Sequence, residues 1–77
     1  SMMEIERRLQ THIIHLLHIV PEKFEIILEL QMEQMGINDR RQALEALVVE
    51  LLYRYEDPLL DYLWFSINRE KSERAAA

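Results

Sequence analysis

Seventy-seven residues, 49% hydrophobic and 30% charged, have the composition of one small globular domain rather than a disordered chain. The absence of cysteine removes disulfides and thiolate metal clusters, and fits a reducing, cytoplasmic setting. A formal net charge of −5 argues against a general nucleic-acid-binding surface.

Four helical segments are predicted, over about 4–20, 21–35, 39–56 and 58–70. Ser1-Met2 ahead of Met3 reads as an appended leader. Glu4, Glu6, Arg7 and Arg8 then precede the first apolar stretch, unlike a secretory signal. Ile5, Leu9, Ile13, Leu16, Leu17 and Val20 recur at helical spacing, with Glu4, Arg7, Arg8, Thr11, His15 and His18 opposite and Ile14 as the exception. His12, His15 and His18 repeat every third residue, a helical rather than strand-like period. Two of them meeting on one face would need a carboxylate to complete a zinc site, and the Glu-x-x-His pattern is absent. They read as a solvated or interface stripe, sensitive to pH near 6.5 if stacked against a second copy.

Pro21 opens the second segment at a first-turn position, with Glu22 near the positive end of the helix dipole. Phe24, Leu28, Met32 and Met35 form its apolar stripe, and Gly36 ends it through the left-handed conformation. Glu22, Glu25, Glu29 and Glu33 share another face; with Lys23 they give residues 21–37 a charge of −3. Such a face is a hydrated stripe or a docking surface for a basic partner. Asp39 with Gln42 matches a capping box for the third segment, which carries Ala43, Leu44, Leu47, Val48, Leu51 and Leu52. Asp57-Pro58 repeats a cap-then-proline start for the fourth, with Leu59, Leu60, Tyr62, Leu63, Trp64, Phe65 and Ile67. Glu70–Ala77 reads as a frayed tail. No segment reaches the roughly 20 apolar residues of a membrane span.

The last two segments are apolar around most of their circumference. Val49 and Leu52 fall off the stripe of Ala43, Leu47 and Leu51, and Phe65 falls away from Leu63 and Ile67. Each exposed leucine-sized side chain forgoes about 1.5–3 kcal/mol, so a homodimeric bundle is expected, joined through Val48, Val49, Leu52, Tyr53, Leu60, Trp64 and Phe65. The aromatic set Tyr53, Tyr55, Tyr62, Trp64 and Phe65 suits either core packing or an interface hot spot. Thr11, Ser66 and Ser72 lie in no nucleophile-presenting turn, and the lone Gly36 makes no phosphate-cradling loop. The expected function is therefore a non-enzymatic, all-α protein-interaction module, an adaptor or inhibitor. It needs no cofactor, metal or catalytic residue, and its partners are a second copy and another protein.

Val20-Pro21-Glu22-Lys23-Phe24 and the run from Met35-Gly36 through Asp39-Arg40-Arg41-Gln42-Ala43-Leu44 resemble the ribbon-helix-helix family over residues 20 to about 53. That resemblance implies an obligate dimer acting as a DNA-binding transcriptional regulator or antitoxin, with residues 13–20 as a strand. It would place Asn38, Arg40 and Arg41 near phosphate. Ile13, His15, Leu17 and Ile19 would face the groove, where only His15 carries a group able to read a base edge. Met35-Gly36-Ile37 followed by Ala43–Leu47, with Asp57-Pro58 beyond, also resembles ubiquitin-associated domains, although the spacing to the last junction is longer by several residues.

Overall fold

The computed structural model describes residues 1–77 as four helices: α1 (Met2–Leu17), α2 (Pro21–Met35), α3 (Arg40–Arg54) and α4 (Pro58–Ala76). Local chemistry sets most of their ends. At the close of α2, Gly36 takes φ 64°, its N–H reaches Glu33 O, and the Ile37 N–H reaches Met32 O at 3.1 Å. These are the paired bonds of a Schellman stop. Asp39 Oδ1 accepts the N–H groups of Arg41 and Gln42 at the start of α3. No Gln42 side-chain bond returns, so half of the expected capping box forms. Asp57 Oδ1 accepts the Leu60 N–H at 2.9 Å, with Pro58 in the first turn of α4.

Three boundaries differ from the sequence reading. The α1 helix ends at Leu17 rather than near residue 20, because His18 turns left-handed (φ 54°, ψ 46°) and the Ile19 N–H returns to Ile14 O. Pro21 favours this early stop by disfavouring helical geometry at Val20, which is extended at φ −90° and ψ 158°. The α1 helix also begins earlier, at Met2 rather than near residue 4: the Ser1 hydroxyl accepts the Glu4 N–H, and Met2 is only 3% exposed. The expected frayed tail is instead helix as far as Ala76, with an Arg69–Glu73 ion pair one turn apart. The strand over residues 13–20 is also absent. Those residues belong to α1 and its turn, so the paired ribbons of a ribbon-helix-helix dimer have no counterpart.

His18 is the one non-glycine residue at positive φ. A Cβ in that conformation costs about 1–2 kcal/mol. His18→Gly is therefore expected to raise stability by about 0.5–1 kcal/mol, after the entropy that glycine adds to the unfolded chain. Urea denaturation checks this; a lower midpoint for the variant would mean that the His18 side chain contributes contacts outweighing the strain.

The helices pack chiefly as α1 on α4 and α2 on α3, with α3 also against α4 and α1 against α2. Leu9 and Ile13 from α1, Phe24 and Leu28 from α2, five α3 residues (Ala43, Leu44, Leu47, Val48, Leu51) and Leu60, Leu63 and Ile67 from α4 form one core with Met2. No polar side chain is buried in it. Around its rim, Arg41 grips Glu6 and Lys71 reaches Glu45 at 2.7 Å, tying α3 to α1 and to α4. No helix is long and apolar enough to cross a membrane.

Candidate functional site

The residues expected to mediate self-association separate into three groups. Val49, Leu52, Tyr53 and Trp64 line one shallow groove of about 260 Å³ between α3 and α4, with no charged residue in its wall. Val49 and Tyr53 lie one turn apart on α3 and project outward, Tyr53 being 88% exposed. Leu52 and Trp64 are half-buried and pack against the core below them. Phe65, 60% exposed, lies elsewhere, beside Ile5, Tyr62 and Arg69 at the α1 edge of α4.

Val48 and Leu60 correct the sequence reading. Both are fully buried within the single chain and can present nothing to a second copy. The cause is geometric. The α3 helix meets both α2 and α4, so its buried arc is wide enough to take in Val48 beside Leu44 and Leu51. Leu60 sits one helical turn from Leu63 and two from Ile67, on the inward stripe of α4.

The acidic face of α2 is exposed, but one member is engaged. Glu25 accepts from Arg40, which also donates to Gln10 at 2.9 Å. Glu22, Glu29 and Glu33 make no ion pair, and exposed Ile26 and Leu30 lie on the same outer side of the helix. The residues that the ribbon-helix-helix resemblance puts near phosphate are mostly committed elsewhere. Arg40 holds Glu25 and Gln10. Arg41 donates through Nε to Glu6 Oε2 at 3.0 Å and through Nη2 to Glu6 Oε1 at 3.3 Å. Hydrogen bonding to Glu6, with its negative charge, raises the Arg41 pKa further. Asn38 lies in the α2–α3 turn beside Glu29 and Glu33.

The histidine stripe does not act as a unit. His12 Nε2 lies 2.9 Å from Asp57 Oδ1, joining the middle of α1 to the start of α4, while His15 is exposed and His18 forms the turn. The Asp57 carboxyl titrates below its ordinary range: the Leu60 N–H is the largest cause, burial opposes it, and the hydrogen bond and charge of the His12 contact add smaller lowering effects. No group of three or more His, Asp or Glu side chains converges as a metal site.

A second cleft escaped the sequence reading. Arg7, Arg8, Thr11, His12 and His15 from α1 meet Leu59 and Leu63 from α4 around about 290 Å³. Its signal was present in the spacing of Arg8, Thr11, His12 and His15, but only the antiparallel approach of α4 supplies the opposite wall. No protein-family model, curated protein or solved structure matches the chain.

Proposed function

We propose that the protein is a non-enzymatic helical interaction module, an adaptor or inhibitor, that works as a homodimer joined through the α3–α4 groove. The observation that carries this reading is the groove walled by the hydrophobic residues Val49, Leu52, Tyr53 and Trp64, open to solvent on the outer side of two adjacent helices. Single exposed apolar residues are ordinary, whereas a cluster spread over two helices is the surface that association removes from water.

A second copy fits the pattern of the α3 surface. Gln42, Ala46, Val49 and Tyr53 follow one outward stripe at spacings of four, three and four residues. An antiparallel approach of two α3 helices, with the two-fold axis near Val49, sets the small Ala46 of each copy opposite the large Tyr53 of the other. That is the self-complementarity an isologous interface requires. In such a dimer the outer face of α2 stays free, offering Glu22, Glu29 and Glu33 around Ile26 and Leu30 to a basic partner with an apolar face.

Light scattering on a sizing column at micromolar concentration tests the proposal. The unmodified chain is expected at twice its 9.3 kDa mass. Tyr53→Glu, which places a charge in the groove without touching the core, is expected at the single-chain mass with an unchanged helical spectrum. A single-chain mass for the unmodified protein at 100-fold higher concentration would refute it.

A further inference from the structure

We infer that the α1–α4 cleft is a binding site for a phosphate monoester whose ester group is apolar. The inference rests on the cleft's two unlike walls. Along α1, Arg7, Arg8, Thr11, His12 and His15 present guanidinium, hydroxyl and imidazole groups; no carboxylate lines the cleft. Along α4, Leu59 is exposed at the rim and Leu63 lies buried beneath it.

The cationic wall is unspent. Neither Arg7 nor Arg8 takes part in any ion pair or side-chain hydrogen bond, although the chain as a whole is acidic. The neighbouring carboxylates are engaged or apart: Glu6 is held by Arg41, Asp57 by His12 and the Leu60 N–H, and Glu4 pairs with neither arginine. Two unpaired guanidinium groups, from consecutive residues of α1 that both line the cleft, suit an anion of nearly two charges. With the Thr11 hydroxyl and the His15 ring they supply donors for three terminal oxygens. A phosphate monoester at neutral pH offers both that charge and those oxygens, whereas a carboxylate offers one charge and two oxygens. The leucine wall adds a requirement that a bare phosphate cannot meet, since apolar area gains only by covering apolar area. A phosphotyrosyl side chain and a free aryl phosphate share this chemistry, and the cleft volume matches the lower end of small-ligand sites, roughly 300 Å³.

The test is a titration of backbone amide shifts with phenyl phosphate, inorganic phosphate and a short phosphotyrosyl peptide. Phenyl phosphate is expected to saturate, with shifts confined to α1 and the first two turns of α4, and to bind about tenfold more tightly than inorganic phosphate. Tighter binding of the peptide than of phenyl phosphate would identify a phosphorylated chain as the source; equal or weaker binding would identify a small molecule. Arg8→Gln is expected to weaken phenyl phosphate about tenfold, and the Arg7→Gln, Arg8→Gln double variant to abolish binding. Leu59→Ser should lower phenyl phosphate to the level of inorganic phosphate. These side chains are exposed and outside the core, so the helical spectrum should hold, and they lie away from the α3–α4 groove, so the oligomer mass should not change. Absence of saturation at millimolar phenyl phosphate, or undiminished binding by the double arginine variant, overturns the assignment.

Discussion

Phe24→Ala is expected to leave the chain largely unfolded at room temperature. Phe24 has no solvent exposure, and with Leu28 it is one of only two fully buried side chains through which α2 holds the rest of the fold. Truncating a buried phenylalanine typically costs about 3–5 kcal/mol, part from lost transfer energy and part from the cavity left behind. A core in a chain of this length rarely supplies more than about 3–5 kcal/mol in total. The loss therefore equals the reserve. Phe65→Ala is the matched control: that ring is 60% exposed, so the change within one chain is expected to stay within about 0.5 kcal/mol. Circular dichroism in a urea series measures both, and dilute samples separate the single-chain effect from any stabilisation by association. Cooperative unfolding of Phe24→Ala with a loss below about 1 kcal/mol would show that α2 is held by something other than its two buried residues.

The contrast between Phe24 and Phe65 also marks what the amino-acid order made legible. Helix ends fixed by local chemistry were readable, because Pro21, Gly36, Asp39 and Asp57-Pro58 each act within a few residues of themselves. So were the deepest core positions, since Leu9, Ile13, Phe24, Leu28, Leu44 and Leu47 repeat at helical spacing. Val48 and Leu60 were misplaced because periodicity gives the direction of a side chain but not the number of neighbouring helices; α3 has two close partners, and its buried arc widens accordingly. The tail was misjudged for a different reason. Polarity along residues 70–76 resembles fraying, yet alanines and an i,i+4 ion pair favour continued helix. Contacts over long separations gave no local signal at all. Arg41 with Glu6, His12 with Asp57 and the basic cleft against Leu59 appear only when α1 is laid along α4, with its first turns within reach of the start of α3. The apolar groove lies between these cases: its members were named, but which four would gather was decided by the antiparallel pairing of α3 and α4.

Asp57 is the position where a small change should have the widest effect outside the core. One oxygen, Oδ1, accepts both the Leu60 N–H that begins α4 and the His12 ring that ties α4 to α1, each at 2.9 Å. Asp57→Ala removes both at once. Loss of a helix cap costs about 0.5–2 kcal/mol, and the orphaned His12 contact adds to it, so a total of about 2 kcal/mol is expected at neutral pH. Asp57→Asn keeps a side-chain acceptor for both donors and removes the charge, so it should cost less than half as much. Acid then distinguishes charge from capping. The folded carboxyl titrates below its unfolded range of about 3.9, so its charge-dependent stabilisation is complete above that value and disappears as pH falls through the folded pKa. The stability gap between the unmodified protein and Asp57→Asn should accordingly hold from pH 7 to 5 and narrow as pH falls below about 4. Asp57→Ala should stay less stable than Asp57→Asn at every pH, because Asn keeps an uncharged acceptor for the Leu60 N–H that Ala lacks. Urea midpoints for the three proteins at pH 7, 5 and 3 measure this directly. A gap between the unmodified protein and Asp57→Asn that is undiminished at the lowest pH would show that the carboxylate's negative charge does not strengthen its bonds to the Leu60 N–H and His12.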